Sequence, residues 1–326
     1  TGAVGQELIN GLAERNFPLK ELRLLASSRS QGKIIPFRGE DLVVDECTAD
    51  SFRGIDIVLF AGGSKSKQFA LDAVKAGAVV IDNSSAFRMD PDVPLVVPEV
   101  NPEDIRWHKG LIANPNCSTI QMVVALKPLH DEAIIKRIIV STYQAVSGAG
   151  KEGMAALEQE VKEYAASGKE PKFLTPSAFP YPIAFNCIPQ IDSFLADGYT
   201  KEEMKMVDET RKMFHDNTIA INATTVRVPV FRSHSESITI ETEKPLSPER
   251  AKELLSAAPG VVLQDVPANQ EYPMPLFSAG TDEVYVGRIR KDISSVNGLS
   301  LWVVADQIRK GAATNAIQIA ELLINQ

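Results

Sequence analysis

The stretch from residue 55 to residue 82 alternates between strand and helix patterns, and no other feature constrains the fold as strongly. Residues 55–60 form an apolar run that only Asp56 interrupts, a glycine-containing turn follows, and residues 68–76 have a helical pattern. A second apolar run covers residues 78–81. Continuous apolar strands joined through helices are typical of a parallel sheet with both faces covered. The sequence therefore predicts an α/β fold.

The first residues, Thr1-Gly2-Ala3-Val4-Gly5, lead directly into a helical pattern of apolar positions. In a dinucleotide-binding unit, a first strand runs into a glycine-rich turn, and the pyrophosphate lies at the N-terminus of the next helix. Gly2 and Gly5 match the later two glycines of that turn. A Gly-x-x-Gly pair alone is a weak signal, since glycine in a turn needs no ligand to explain it. We expect a Rossmann-type domain whose first strand and first glycine are missing at the extreme N-terminus.

An arginine stands where the acid of an NAD site is usually found. After a predicted strand at residues 21–26 come Ser27-Ser28-Arg29-Ser30, about 20 residues beyond the glycine turn, with no Asp or Glu among them. An arginine among hydroxyls accommodates a 2′-phosphate better than a 2′-hydroxyl. The pattern predicts NADP as the cofactor, and a solvated loop arginine is the alternative.

The carboxyl end of the strand at residues 78–81 carries the polar run from Asp82 to Arg88. Ligand-binding residues of open α/β sheets collect at such strand ends. Arg88 is therefore a candidate anion site.

Longer strands with alternating polarity follow Pro128, at residues 137–144, 221–230, 237–243, 284–290 and 299–305. They predict a second, α+β domain with a mixed or antiparallel sheet, which also contains helices at residues 153–166 and 202–214. A proline-rich connection at residues 171–189 contains several aromatic residues, which predicts an ordered lid or subunit contact. The apolar helix at residues 311–323 is expected to return to the first domain. The predicted domains are residues 1–117 plus 308–326, and residues 118–307.

Composition excludes several classes of partner. The net charge is −8 with no cluster of basic and aromatic residues, which argues against nucleic acid or an anionic membrane as partner. Only three cysteines occur, and their spacing indicates neither a disulfide framework nor a metal site. No apolar run approaches the roughly 18 residues of a membrane-spanning helix. These features predict a cytoplasmic protein without a bound metal.

Cys117 lies between a short predicted strand at residues 111–113 and a predicted helix at residues 119–126. The N–H groups and dipole at a helix start favour a thiolate, so this position suits a nucleophile. The alternative is a small buried apolar residue, since cysteine is among the residue types most often buried.

A nucleophile of this kind needs a proton partner, and His234 is the best candidate among the four histidines. His108, His130 and His215 lie in polar or charged surroundings. His234 lies at the start of a predicted strand, seven positions after Arg227. Both residues can face one pocket across a short bend, although a histidine hydrogen-bonded to its neighbouring serines is the alternative.

Several ordered motifs together resemble the aspartate-semialdehyde dehydrogenase family over the length of the chain. They are Pro115-Asn116-Cys117-Ser118-Thr119-Ile120-Gln121-Met122, Gln144-Ala145-Val146-Ser147-Gly148-Ala149-Gly150, Arg227 with His234, and Gly287-Arg288-Ile289-Arg290-Lys291-Asp292. The pattern is most similar to the bacterial branch found in Gram-positive organisms. Such a combination is far more specific than any single motif.

The resemblance implies NADP-dependent, phosphate-dependent, reversible oxidation of L-aspartate 4-semialdehyde to L-4-aspartyl phosphate. This reaction serves the biosynthesis of lysine through diaminopimelate, and of methionine, threonine and isoleucine. By similarity, Cys117 is the nucleophile, His234 the acid/base and Gln144 the residue that orients the reacting centre. Arg227 resembles the clamp for the substrate carboxylate, for which a planar guanidinium is well suited.

The remaining roles also follow from the resemblance. The phosphate set is Arg88, Asn116 and Lys205, and Glu202 meets the substrate amino group. We prefer Glu202 to Glu203 because Glu202 lies one helical turn from Lys205, and an exposed helical ion pair is the alternative. The cofactor residues are Thr1, Gly2, Ala3, Val4, Ser27, Arg29, Ser30, Ser147, Gly148 and Asn315.

The family is typically dimeric or tetrameric, so the resemblance implies a homodimer or homotetramer with residues 118–307 as catalytic and dimerisation domain. Two other functions remain open. One is another acyl-phosphate reductase, acting on N-acetylglutamyl phosphate or a sugar phosphate. The other is a non-catalytic NADP-binding sensor, against which the presence of Cys117, His234, Gln144 and Arg227 argues.

Overall fold

A computed structural model describes residues 2–62, 66–176 and 178–325 of the chain. The chain divides into two compact units, one of residues 1–115 and 312–326 and the other of residues 116–311. The boundaries predicted from the sequence, at residues 117 and 308, differ from this division by only a few residues.

The first unit has an α/β architecture, as the strand and helix alternation predicts. Its elements in chain order are α1 (Ala3–Glu14), β1 (Leu24–Ala26), β2 (Ile34–Phe37), β3 (Glu40–Glu46), β4 (Ile57–Phe60), α2 (Ser66–Lys75), β5 (Val79–Asp82) and β6 (Leu111–Ala113). Strands β4, β5 and β6 form a parallel sheet in that order. Strand β3 pairs in parallel with β1 and antiparallel with β2.

The hairpin β2–β3 has no counterpart in the predicted elements. Its turn is built from Arg38 and Gly39, which have φ angles of 49° and 87°. Two-residue hairpin turns with both φ values positive usually carry Asn-Gly or Asp-Gly. Because arginine occupies the first of these positions, the sequence does not indicate this turn. The strand predicted at residues 21–26 is shorter in the structure, where it covers only Leu24–Ala26.

The chain returns to the first unit with a five-residue π-helix, Arg309–Ala313, and then α8 (Thr314–Ile324). Helix α8 shares one apolar core with α1 and with the strands of this unit. A Cβ added to Gly11 on α1 would lie only 2.7 Å from Ile317 Cδ1, so the two helices pack closely at this point.

The second unit is built around a six-stranded mixed sheet. Its elements are α3 (Cys117–Ala133), β7 (Ile135–Gln144), α4 (Gly150–Ser167), α5 (Lys201–Phe214), β8 (Ala220–Arg227), β9 (His234–Thr242), α6 (Pro248–Ala257), β10 (Val261–Leu263), α7 (Pro275–Ser278), β11 (Val284–Lys291) and β12 (Gly298–Ala305). The strand order is β10-β11-β12-β9-β7-β8. Only the pairs β10–β11 and β7–β8 are parallel. The predicted mixed sheet is confirmed.

Helix α3 is longer than the sequence indicates, because it continues through Pro128 to Ala133. A proline removes one backbone hydrogen bond and usually ends or kinks a helix. Here most side chains of α3 are buried, and this packing keeps the last turn helical beyond the proline.

The proline-rich segment at residues 171–189 packs on α4, apart from residue 177, which lies outside the described part. The buried Glu160 carboxylate accepts hydrogen bonds from the N–H groups of Ile183 (2.7 Å) and Ala184 (2.8 Å). Leu174, Ile183 and Ile188 join an apolar cluster with Val146 and Leu157. The segment is therefore ordered, and its role in subunit contact stays a prediction.

Strand register brings the candidate catalytic residues to one edge of the second unit's sheet. Strands β7 and β8 run in parallel with Gln144 opposite Arg227, so both residues end their strands at the same level. Strand β9 runs antiparallel to β7 and begins there with His234.

Among the described residues, no helix is long and apolar enough to cross a membrane.

Candidate active site

Cys117 is the first residue of α3, and Asn116 is the N-cap that starts the helix. The Asn116 Oδ1 atom accepts hydrogen bonds from the N–H groups of Ser118 (3.0 Å) and Thr119 (3.2 Å). The Cys117 side chain is partly exposed. The cap holds the helix start in place, and the positive end of the helix dipole favours the thiolate over the thiol.

His234 is fully buried at the start of β9, and the backbone sets the position of its proton. Its Nδ1 atom accepts a hydrogen bond from the Ala145 N–H (3.0 Å). A ring nitrogen that accepts carries no proton, so the neutral imidazole carries its proton on Nε2. Burial, and next the nearby Arg227 charge, lower the pKa of His234 well below its usual range. The ring is therefore neutral at pH 7 and donates from Nε2.

Gln144 supplies a second N–H donor beside His234. Its Oε1 atom accepts from the Thr142 hydroxyl (2.9 Å), which fixes the orientation of the amide. Its Nε2 atom donates to Glu202 Oε1 (3.2 Å) and lies 3.4 Å from His234 Nε2. Two donors this close can both hydrogen-bond one substrate oxygen.

Arg227 ends β8 and is almost completely buried. Its Nη1 atom donates to the Ala145 carbonyl oxygen (2.6 Å), so the loop that fixes the His234 tautomer also holds the guanidinium. Burial lowers the pKa of Arg227 from its usual value, while the negative charges of Cys117 and Glu202 oppose that shift. In the same way, the Arg227 charge stabilises a Cys117 thiolate.

Glu202 is buried among three donors and is ionised at neutral pH. Its Oε1 atom accepts from Asn116 Nδ2 (2.9 Å) and from Gln144, while Oε2 accepts from Lys205 Nζ (3.0 Å). Burial alone would raise the pKa of Glu202, but the Lys205 charge and the hydrogen bonds outweigh burial and lower it. Lys205 also contacts Asp192 Oδ2 at 3.0 Å, and its pKa is raised because the two carboxylates outweigh the effect of its burial.

Glu203 has a different environment from Glu202. Its carboxylate accepts from the N–H groups of Thr200 (2.7 Å) and Thr225 (3.0 Å). The first contact belongs to the capping box of α5, and the second ties that helix to β8. Of the two acids, the structure brings only Glu202 into the cluster with Gln144 and Asn116.

Close packing at two glycines was not apparent from the sequence. A Cβ added to Gly148 would lie 2.8 Å from Arg227 Nη1 and 3.3 Å from His234 Cε1. A Cβ added to Gly311 would lie 2.9 Å from Cys117 Cβ and 3.3 Å from Cys117 Cα. Gly311 is distant from Cys117 in sequence, so no local pattern could reveal this contact.

Gln307 is a further residue that sequence reasoning missed. Its Oε1 atom accepts from the Ser233 N–H (2.8 Å), and its Nε2 atom donates to the Ser147 hydroxyl. Ser233 directly precedes His234 and has a φ angle of 74°, a left-handed conformation that is unfavourable for serine. Gln307 thus holds both the backbone before His234 and the predicted cofactor residue Ser147.

The other predicted site residues lie in the first unit. Arg88 is mostly buried and donates to the carbonyl oxygens of Asn114 (2.9 Å) and Asn83 (2.9 Å), which follow β6 and β5. Asn315, near the start of α8, is fully buried and donates to Val96 O (3.0 Å) and Asn114 Oδ1 (2.7 Å). Both side chains therefore have internal partners.

The predicted cofactor residues at the start of α1 fit an anion. Gly2 is the N-cap and carries no side chain, and the first turn, which contains Ala3 and Val4, has no acidic residue. The first N–H groups of a helix lack intrahelical partners and can bind a pyrophosphate. Thr1 lies outside the described residues.

The region predicted to recognise the 2′-phosphate follows β1. Ser27 and Arg29 are exposed there, whereas Ser30 is buried at the end of a short 3-10 turn.

In the part of the chain that the structure describes, no group of three or more His, Cys, Asp or Glu side chains could hold a metal ion.

Two protein families match the chain and define its class. The semialdehyde dehydrogenase NAD-binding domain matches residues 1–108, and the semialdehyde dehydrogenase dimerisation domain matches residues 126–310. The chain is therefore an oxidoreductase with an NAD(P)-binding domain of the Rossmann type.

Individual relatives narrow this class. The aspartate-semialdehyde dehydrogenase of Aquifex aeolicus is 60% identical, covering 100% of this chain and 96% of the relative, and that of Campylobacter jejuni is 56% identical over 98% and 94%. The chain belongs to the aspartate-semialdehyde dehydrogenase family, whose enzymes act in amino-acid biosynthesis.

Solved structures agree with this assignment. Aspartate semialdehyde dehydrogenase II from Vibrio cholerae, in a complex with ASA, is 50% identical with a TM-score of 0.95 and covers 100% of this chain and 96% of its own. The enzyme from Candida albicans, solved with NADP, is 27% identical with a TM-score of 0.77, and the match covers 99% of this chain and 96% of that one.

Proposed function

We propose that the chain catalyses the reversible, NADP-dependent and phosphate-dependent oxidation of L-aspartate 4-semialdehyde to L-4-aspartyl phosphate. The observation that carries the proposal is a single cluster in the second unit. There a neutral histidine, a glutamine, an arginine and an ionised glutamate lie within one hydrogen-bonded network, and the cysteine at the helix start interacts electrostatically with Arg227. Each of these groups suits one step of the reaction.

Cys117 attacks the aldehyde carbon as a thiolate, favoured by the helix start and by Arg227. The aldehyde oxygen gains negative charge as the carbon–sulfur bond forms. It accepts hydrogen bonds from His234 Nε2 and Gln144 Nε2, both of which are donors in this geometry. His234 therefore stabilises this oxygen as a hydrogen-bond donor, because its Nδ1 atom accepts from the Ala145 N–H and its proton lies on Nε2.

NADP, when bound, would supply the hydride acceptor. The thiohemiacetal oxyanion loses a hydride, and no proton has to leave its oxygen. A thioester with Cys117 remains, with its oxygen held by the same two donors. A phosphate oxygen then attacks the thioester carbon, the carbon–sulfur bond breaks and the thiolate is restored. In the biosynthetic direction these steps run in reverse.

The two charged ends of the substrate have candidate partners in the same cluster. The Arg227 guanidinium suits the α-carboxylate, because its planar fork can form two hydrogen bonds with a carboxylate. The ionised Glu202 suits the ammonium group. For phosphate we propose Arg88, Asn116 and Lys205; the Lys205 ammonium has three donors, of which two meet Glu202 and Asp192.

For the cofactor we propose NADP rather than NAD, bound by Gly2, Ala3, Val4, Ser27, Arg29, Ser30 and Asn315 in the first unit and by Ser147 and Gly148 in the second. The acid-free first turn of α1 supports the pyrophosphate site. The exposed Arg29, with no carboxylate between Ser27 and Ser30, supports a 2′-phosphate site.

A homodimer or homotetramer is the proposed assembly. The match to a dimerisation domain supports it. Ile139 and Tyr143, two exposed apolar residues on one face of β7, also support it, and Trp302 lies beside Tyr143 (ring centroids 5.4 Å apart). Light scattering of the purified protein measures the assembly directly. The Gram-positive-like branch, the cytoplasmic location and the named biosynthetic pathways stay predictions.

Steady-state turnover tests the proposed reaction. We expect NADP reduction with aspartate semialdehyde that depends on added phosphate, and little activity with the semialdehyde of N-acetylglutamate. Replacing Cys117 with Ala is expected to abolish turnover while the thermal unfolding temperature stays close to that of the wild type. Substantial turnover by C117A would rule out the cysteine mechanism, and phosphate-independent turnover would rule out the acyl-phosphate product.

A further inference from the structure

Two buried polar residues follow the proposed catalytic residues Cys117 and His234 on the same two elements. Gln121 lies one helical turn after Cys117 on α3, and Glu236 lies two residues after His234 on β9. Residues four apart share a helix face, and residues two apart share a strand face. Helix α3 and strand β9 thus each carry a proposed catalytic residue followed by a buried polar residue on the same side.

A contact between the two elements exists already. The Gln121 Nε2 atom donates to the His234 carbonyl oxygen at 3.5 Å, which is a long hydrogen bond. Both Gln121 and Glu236 are completely buried. Burial raises the pKa of Glu236 well above its usual range, and hydrogen bonding with Gln121 opposes the shift only in part.

The polar atoms of this pair are not fully satisfied. Gln121 Oε1 and both carboxyl oxygens of Glu236 lack a hydrogen-bond partner of ordinary geometry within the described residues. An unpaired buried polar group destabilises the folded state. A neutral carboxyl group has one O–H donor, and Gln121 Oε1 is an acceptor without a donor. One hydrogen bond between them pairs Gln121 Oε1 with the O–H group of Glu236.

We propose that Gln121 and Glu236 are positioning residues for the active site. The protonated Glu236 donates to Gln121 Oε1, and Gln121 Nε2 donates to the backbone of His234. This amide–acid pair joins α3, one turn after Cys117, to the first residues of β9. It thereby sets the distance between the Cys117 sulfur and His234 Nε2. The inference deepens the proposed function, because it assumes that these two atoms act together.

Single variants test the chemistry of the pair. Glu236→Gln keeps the shape and a donor of the neutral acid, so we expect kcat to stay within about twofold of the wild type. Glu236→Leu and Gln121→Leu remove the clamp, and we expect kcat to fall about 10-fold to 100-fold with little change in KM, as for a small misplacement of reacting groups. A loss in E236Q as large as that in E236L would overturn the proposal.

The double variant separates positioning from stability. Replacing both partners with apolar residues removes the unpaired polar groups, so Q121L/E236L is expected to recover much of the unfolding free energy lost by either single variant. Its kcat is expected to stay low, because the clamp is still absent. Recovery of kcat to the wild-type value would show that the pair is only structural and would refute the proposal.

Alkylation of Cys117 provides a readout that needs no substrate. In a Cys47→Ser/Cys187→Ser background only Cys117 reacts with iodoacetamide, and we expect E236L to change its rate and the pH midpoint of the reaction. Thr242→Val is a matched control, since Thr242 is a buried polar residue at the far end of β9 whose hydroxyl donates to Lys244 O (2.7 Å). It should lower stability and leave alkylation unchanged.

The alkylation experiment also tests the positioning role of Gln121 and Glu236 separately from the proposed reaction. If the wild-type protein does not turn over aspartate semialdehyde, the proposed function fails, and the alkylation shift in E236L still decides the positioning role. An alkylation profile for E236L identical to those of wild type and T242V would overturn the clamp even if turnover is as proposed.

Discussion

Replacing Gly311 with Ala tests how closely the nucleophile is packed. The added Cβ would lie 2.9 Å from Cys117 Cβ, 3.3 Å from Cys117 Cα and 3.3 Å from Gln307 Cβ. Carbon atoms prefer separations of about 3.5–4.0 Å. The Cys117 atoms concerned are close to the backbone at the start of a helix and cannot rotate away. Cys117 or the π-helix must therefore move by roughly 0.6–1.1 Å to restore ordinary contacts.

A displacement of this size has two separate consequences. Overpacking is expected to lower the unfolding free energy by about 1–3 kcal/mol, which in this size range shifts the melting temperature by several degrees. Misplacing the nucleophile by about 1 Å is expected to lower kcat about 100-fold. Because Cys117 forms no bond in the initial substrate complex, the dissociation constant for substrate should change much less than kcat.

The assay is phosphate-dependent NADP reduction, combined with iodoacetamide alkylation of G311A in the Cys47→Ser/Cys187→Ser background and a thermal melt. We expect slower turnover, a changed alkylation rate and a modest loss of stability. If G311A retains wild-type kcat and alkylation while its melting temperature falls, the contact with Cys117 does not position the sulfur, and the reasoning from this glycine is wrong.

Three further predictions follow from the structure. Arg29→Asp is expected to weaken NADP binding about 10-fold to 100-fold and NAD binding far less, measured by fluorescence titration; equal losses would refute the 2′-phosphate role. The pKa of Glu236 lies well above its usual value of 4.5 in the folded chain, so the folded state keeps a proton that the unfolded chain releases. Stability from this group therefore falls as pH rises from 4.5 through the folded pKa, and urea denaturation should show that Glu236→Gln removes this decline. Finally, the ¹⁵N shifts of His234 should report a neutral ring protonated on Nε2 at pH 7; a proton on Nδ1 would contradict the hydrogen bond from Ala145.

Sequence reasoning predicted several residues that the structure brings together in the second unit, but it did not predict their contacts. The helix start at Cys117 follows from a local pattern, and the motifs around Gln144 and His234 predict roles by resemblance. The choice of Glu202 over Glu203 rests on helical spacing to Lys205, and the 3.0 Å contact agrees with that spacing. The capping role of Glu203 involves Thr225 on another strand, which spacing within α5 does not reveal.

Several features required the tertiary structure because they join residues far apart in the chain. The tautomer of His234 depends on the N–H of Ala145, and the left-handed Ser233 depends on the Gln307 side chain. The continuation of α3 through Pro128 depends on burial of the surrounding helix. Local propensity predicts none of these, because each is set by packing between separate elements.

Sequence patterns alone predict the α/β class, a two-part organisation, the position of Cys117 at a helix start and, by resemblance, the residues of the candidate site. These properties depend on periodicity and on the order of motifs, which are local. The tertiary structure was needed to establish which atoms of His234 and Gln144 are donors, which hydrogen bonds Glu202 and Glu203 form and how closely Gly311 approaches Cys117. Those properties depend on strand register and close packing, which bring distant parts of the chain to within a few ångströms of each other.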